Sequence, residues 1–131
     1  MAKRFEIYKC EICGNVIEVL VGGAGELVCC EQAMTLMEEK VTEEGLNEKH
    51  IPVFEKNEDG ELIVKVGSIE HPMTDEHYIQ FIEVFCDEGI LRKYLEPNQK
   101  PEFLVKLNQD VRFAREYCNI HGLWKGENNA N

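Results

Sequence analysis

Over the last two thirds of this chain, apolar residues recur every second position in short runs punctuated by turn formers; Leu62, Val64 and Val66 are the plainest case. A strand turns successive side chains to opposite faces, so this period predicts strands with one face buried. Residues 50–56 and 61–67 flank Asn57-Glu58-Asp59-Gly60, a hairpin signal. Residues 77–87, rich in Tyr, Ile, Phe and Val, predict a longer strand that stops at Glu88-Gly89. Further strands are predicted over 90–95, 103–107 and 111–118, and Pro97 and Pro101 confine the connection between the first two to a loop. Residues 111–117 fit a helix or a strand, and no stretch sustains a capped amphipathic helical period. Several short strands with regular turn signals predict an all-β fold, an antiparallel sandwich.

The first 37 residues have a different texture. Short strands are predicted over 5–8 and 16–21, followed by Gly22-Gly23-Ala24-Gly25 and a last short run into Cys29-Cys30. A piece this small cannot hold itself together by apolar burial, so residues 1–37 are expected to be a mini-domain closed by metal. Residues 38–48 carry Glu38, Glu39, Glu43, Glu44 and Glu48 around Gly45 and read as an exposed acidic connector, with Glu48 set apart from the rest. Residues 49–131 form the second expected domain.

Charge narrows the partners. Against 14 Lys and Arg stand 25 Asp and Glu, a formal net charge of −11, which repels phosphate backbones and anionic lipid surfaces. No nucleic-acid or membrane partner is expected. Apolar runs such as Val19-Leu20-Val21 fall far short of the roughly 18 residues a membrane span needs. The opening Met1-Ala2-Lys3-Arg4 leads into no apolar signal region, which predicts a cytoplasmic protein. There a Cys-x-x-Cys is more often metal-binding than bridged. The same negative field opposes a small anionic substrate unless a local cation draws it in, and Lys49, beside His50, is placed for that.

Two groups of donors carry the chemistry. Cys10-Glu11-Ile12-Cys13 is a metal knuckle, and Cys29 and Cys30 complete a set of four sulfurs, although adjacent cysteines strain a tetrahedral site. A zinc staple, or a disulfide between Cys10 and Cys13, remains an alternative at this point. All four histidines fall in short signatures: Glu48-Lys49-His50-Ile51-Pro52-Val53, His71-Pro72-Met73 followed by His77-Tyr78-Ile79, and Cys118-Asn119-Ile120-His121-Gly122. Cys118 and His121 have chelating spacing, and His71 and His77 stand at either end of one short loop. With His50 they offer four imidazoles and one thiolate, more than tetrahedral zinc needs but suited to a five-coordinate iron with an open sixth position. A thiolate opposite that position pushes electron density through the iron, which favours giving one electron to a ligand bound there. Cys86 and Met73 are expected to pack as apolar residues, and Trp124 to pack near the site or in the core.

Residues 5–37 resemble desulforedoxin, which implies that Cys10, Cys13, Cys29 and Cys30 hold an iron. The histidine and Cys118 signatures resemble those of the superoxide reductase family, and with the amino-terminal cysteines they resemble its two-iron form, desulfoferrodoxin. The resemblance spans nearly the whole chain. It implies a second iron with His50, His71, His77 and His121 as equatorial ligands and Cys118 as the axial one, on an immunoglobulin-like sandwich. It further implies reduction of superoxide to hydrogen peroxide, re-reduction by a donor such as rubredoxin, and a homodimer. By the same resemblance Lys49 attracts superoxide and holds a water that supplies a proton, and Glu48 closes onto the oxidised iron once peroxide has left. Two rival expectations stand beside it: an electron carrier whose histidine cluster is a closed structural site, and a zinc-stapled dimerisation module without redox activity.

Overall fold

The computed structural model describes residues 1–106 and 110–129, and the chain divides into two units, Met1–Glu38 and Glu39–Asn131. In the first, β1 (Ile7–Lys9) lies between β2 (Val16–Glu18) and, further along the chain, β5 (Thr35–Met37), antiparallel to both; β3 (Val28–Cys29) and β4 (Gln32–Ala33) form a separate hairpin. Few apolar residues of this unit are buried, namely Ile7, Cys10 and Val19, whereas Leu20, Val21 and Val28 are exposed. β5 falls where alternation is too short to be seen in the sequence.

The second unit opens with a single helical turn, α1 (Asn47–His50), followed by β6 (Pro52–Lys56), β7 (Leu62–Val66), β8 (Ile79–Cys86), β9 (Ile90–Tyr94), β10 (Glu102–Val105), β11 (Val111–Cys118) and β12 (Gly122–Glu127). Their order is β10-β7-β6 in one sheet and β12-β11-β8-β9 in the other, with every pair antiparallel. This is an immunoglobulin-like arrangement of seven strands, in which the fourth strand, β9, stays with the sheet of β8, β11 and β12. One core cluster draws Val64, Val66 and Val105 from the first sheet and Ile82, Val84, Ala114 and Cys118 from the second, as two facing sheets require. The strand expected over 103–107 begins one residue earlier, and Leu107 lies outside the described residues. Residues 111–117, readable either way, are a strand because β8 and β12 pair with them on both sides.

The residues of β8 that point into the core change parity, from Ile79 to Ile82 and Val84. The pairing accounts for this: Tyr117 faces Phe81 but Cys118 faces Ile79, a bulge that skips Gln80. A bulge bends the strand and re-aims the side chains beside it, and this one lies against Cys118. The opposite face of the sheet is tied by cross-strand pairs. Phe81 stacks on Tyr117 and Phe85 on Phe113, while the buried Glu83 carboxylate lies 2.7 Å from both Arg115 and Arg92. Arg115 also reaches Glu39 at 3.0 Å. Glu116, on the face shared with Ala114 and Cys118, is fully buried and its carboxyl oxygens have no hydrogen-bond partner. Burial pushes it well above the usual carboxylate range.

Candidate metal centres

The five donors of the second unit come from three connections between strands. His50 ends α1, whose backbone is pinned from the β7–β8 loop: Ile69 N–H donates to the Glu48 carbonyl at 2.9 Å and Gly67 N–H to that of Ile51 at 3.1 Å. His71 and His77 bound a loop closed by Thr74, whose N–H and hydroxyl both donate to the His77 carbonyl. Cys118 and His121 flank the hairpin loop between β11 and β12, and Gly122 closes it at φ +83°, a left-handed conformation that favours glycine. Sequence alternation placed His50 and His77 at the starts of strands. They lie instead in a helical turn and a loop, where chain direction changes fast enough to aim imidazoles at one point.

The four rings form a closed square. Centroids of His50 and His71, His71 and His77, His77 and His121, and His121 and His50 stand 4.6, 4.7, 5.1 and 4.7 Å apart, and each ring is turned 68–85° from the next. The Cys118 sulfur lies 3.4 Å from His71 Nε2 and 3.9 Å from His121 Nδ1. All five donor atoms fall within 4.8 Å of one another. His50, His71 and Cys118 are buried.

Hydrogen bonds settle which nitrogen each ring presents. Nδ1 of His50 lies 2.8 Å from the Leu46 carbonyl and Nδ1 of His71 2.6 Å from that of Pro72. A carbonyl only accepts, so both Nδ1 atoms carry the proton and both Nε2 atoms present lone pairs inward. Those two Nε2 atoms are nevertheless 3.1 Å apart, and His50 Nε2 is 3.1 Å from His121 Nδ1. His77 Nε2 is buried and has no hydrogen-bond partner among the described residues. Neutral imidazoles whose lone pairs face each other at this distance repel unless a cation lies between them. Two donors 3.1 Å apart that meet at a right angle each lie about 2.2 Å from the meeting point, close to imidazole–metal bond lengths of about 2.0–2.1 Å. The donor set therefore fits a metal ion.

Protonation is matched to that task. Burial, ahead of every other cause, holds His50, His71 and His77 below the usual imidazole range, His71 down to about 4. The imidazoles are free to bind metal at neutral pH. Burial also pushes the Cys118 thiol up, so its proton leaves when a cation arrives. In the apo geometry His121 N–H donates to that sulfur at 3.4 Å. Glu48 and Lys49 are exposed on α1 beside this pocket, and neither side chain forms an ion pair among the described residues.

The four cysteines of the first unit also converge, within 4.8 Å. All are free thiols, which excludes a bridge between Cys10 and Cys13. The first knuckle closes through Gly14, at φ +85°, whose N–H donates to the Cys10 carbonyl at 2.9 Å. The adjacent pair is accommodated by a two-residue hairpin turn. Cys29 pairs with Gln32, and the two residues between them, Cys30 and Glu31, both adopt left-handed φ, 53° and 63°. Such turns favour Asn-Gly, so non-glycine residues here carry a cost that the sulfur cluster offsets. Four thiolates about a tetrahedral ion with bonds near 2.3 Å stand about 3.8 Å apart. Cys13 and Cys29 are separated by 3.6 Å and Cys29 and Cys30 by 4.0 Å. The backbone N–H of Cys13 is the main cause that holds the Cys10 thiol down to about 6, while Cys30, next to Cys13 and Cys10, is pushed up to about 12.

Two family models match the chain, "Desulfoferrodoxin, N-terminal domain" over residues 2–37 and "Desulfoferrodoxin" over residues 42–127. The chain belongs to the desulfoferrodoxin family. Desulfoferrodoxin of Syntrophotalea carbinolica is 52% identical over 97% of this chain and 99% of its own. That of Desulfarculus baarsii is 52% identical over 98% and 100%. Among solved structures, the superoxide reductase of Treponema pallidum superimposes with a TM-score of 0.74 at 32% identity, covering 97% of this chain and all of its own. The four-histidine, one-cysteine pocket and the four-cysteine cluster match the two iron centres of a desulfoferrodoxin.

Asn119 had no assigned part in the sequence reading, yet it ties the two ligand loops together. Its Oδ1 accepts from Tyr78 N–H at 3.0 Å and its Nδ2 donates to the Glu76 carbonyl at 2.9 Å, on either side of His77. A polar residue between Cys118 and His121 was the available signal. Trp124 stacks on His50 at 4.9 Å and 22°, so its packing is at the site rather than elsewhere in the core.

Proposed function

We propose that this chain is a superoxide reductase, consuming superoxide at the five-donor pocket and releasing hydrogen peroxide. The observation that carries the reading is the square of imidazoles over a buried thiol, with the lone pairs of His50 and His71 aimed inward, in a chain whose fold matches a superoxide reductase. Iron held by His50, His71, His77, His121 and Cys118 supplies, when bound, the electron that turns superoxide and two protons into hydrogen peroxide.

The protein's own residues do the rest. Lys49 presents an ammonium with no ion pair among the described residues, and its field is one of the causes, after burial and His121, that hold the His77 imidazole below its usual range. In a molecule of net charge −11 this local cation draws the anion in and keeps a water at hand as proton source. Glu48, on the same exposed turn, moves onto the pocket once peroxide has left. The Leu46 and Pro72 carbonyls keep the ring protons of His50 and His71 outside the pocket.

Iron at Cys10, Cys13, Cys29 and Cys30 is read as an electron store, filled by a small carrier such as rubredoxin. The thiols suit the reducing cytoplasm. The exposed apolar residues Leu20, Val21 and Val28 support a homodimer formed through the first unit, which sedimentation tests. For the activity, the expected result is two irons per chain and one peroxide formed per superoxide consumed, with no dioxygen released. Dioxygen formed in proportion to peroxide, or a pocket that takes zinc in preference to iron and leaves superoxide untouched, would overturn it.

A further inference from the structure

Residues 38–48 look like a solvated connector by composition, but Lys40 among them is held against the second pocket. The backbone of Lys40 bridges β12 alongside Trp124: Lys40 N–H donates to the Leu123 carbonyl and Lys125 N–H to the Lys40 carbonyl, each at 2.9 Å. Thus anchored, the Lys40 ammonium donates to the carbonyl of His121 at 3.2 Å and to Glu43 Oε2 at 2.9 Å, and stands 5.5 Å from the centre of the Trp124 ring. Trp124 is fully buried, and its Nε1–H donates to the same His121 carbonyl at 3.0 Å. One oxygen therefore receives two donors, an ammonium and an indole, and the indole also stacks on His50.

We propose that Lys40 is a positioning residue of the five-donor centre: with Trp124 it clamps the His121 carbonyl and so fixes the ring of His121 and the loop that carries Cys118. This inference rests on the iron reading of that pocket. A carbonyl oxygen has two lone pairs, and with both engaged the His121–Gly122 peptide cannot rotate without breaking two hydrogen bonds. The clamp acts on the one histidine that presents Nδ1, the nitrogen nearer its own backbone, so a small turn of that peptide moves its donor atom directly. The Lys40 ammonium also stands over the Trp124 ring, an arrangement that favours the indole where it is.

The test compares Lys40→Met, Lys40→Arg and Glu43→Gln in the full chain. Lys40→Met is expected to release iron from the pocket about 10- to 100-fold more readily to a chelator and to shift the thiolate-to-iron absorption band, as loss of an outer-shell partner does. Iron at the four cysteines serves as the reference within the same molecule. Lys40→Arg, which keeps a cationic donor, restores both, and Glu43→Gln leaves both near the parent. In metal-free protein the emission of Trp124, the chain's one tryptophan, shifts in Lys40→Met. The proposal falls if Lys40→Met matches the parent in iron release, band and emission, if Lys40→Arg does not restore the loss, or if Glu43→Gln reproduces it, since the surface ion pair alone would then be responsible. Failure of the parent to bind iron in the pocket would instead sink the functional reading, and the emission experiment would still judge the clamp.

Discussion

A single exposed cation matters here because the rest of the molecule has the wrong sign for the substrate. Lys49→Ala is expected to slow consumption of superoxide by about tenfold or more and to weaken its dependence on ionic strength, with both irons retained; pulse radiolysis at several salt concentrations measures this. Lys49→Arg keeps most of the rate. A second expectation follows from the protonation states. Burial holds His50, His71 and His77 below their usual range and the Cys118 thiol above its own, so the thiol is the donor that gives up a proton to the metal. Loading the second pocket at pH 7.5 should release about one proton, and affinity should rise with pH until the Cys118 thiol ionises unaided. On the acid side, uptake should be lost as pH falls towards 4, where His71 takes up its proton. Calorimetry in buffers of different ionisation enthalpy counts those protons. The identity of all nine donors could be read from residue type and spacing. Which nitrogen each histidine presents could not, because that depends on the carbonyls of Leu46 and Pro72, and a carbonyl leaves no mark in a sequence.

Among the elements, β7 is legible from its alternation, because burial of one face imposes the period directly, and β8 from its run of β-formers, whereas β11 stays open between helix and strand until its pairing with β8 and β12 is seen. β12 is not legible, since Gly122 and Gly126 interrupt its pattern, and α1 is too short to have one. Yet α1 carries Glu48, Lys49 and His50 together, and what holds it is Gly67. At φ +80°, a Cβ on Gly67 would lie 2.5 Å from the Glu48 carbonyl oxygen, and 2.7 Å from both the Lys49 carbonyl carbon and the Ile69 oxygen. All three are backbone atoms that cannot swing aside. Gly67→Ala should therefore destabilise the second unit by about 1–3 kcal/mol and empty its pocket while the four-cysteine centre stays loaded. Iron per chain and the thermal midpoint report the two effects. Asn119 shows the same limit of sequence reading: its bonds to Tyr78 and Glu76 are clear only once β8 and β11 are side by side.

For the molecule as a whole, the division into Met1–Glu38 and Glu39–Asn131 sets how each part depends on its metal. The larger unit has a two-sheet apolar core to hold it together. A segment of 38 residues has few apolar contacts and a strained turn at Cys30 and Glu31, and segments below about 40 residues need a metal, bridge or partner to fold. Removing iron with a strong chelator should unfold the first unit and leave the second folded, which backbone NMR shows as loss of dispersion confined to residues 1–38. The two sets of sulfurs also differ in access. Cys118 has no exposed surface, whereas Cys13 and Cys30 are open to solvent. A catalyst that generates an oxidant beside its own thiolate risks sulfenic acid at that atom. Here the sulfur closest to the chemistry is sealed beneath its loop, while Cys13 and Cys30 of the other centre are the most open of the cysteines, so self-inflicted damage should accumulate first away from the pocket that makes the oxidant.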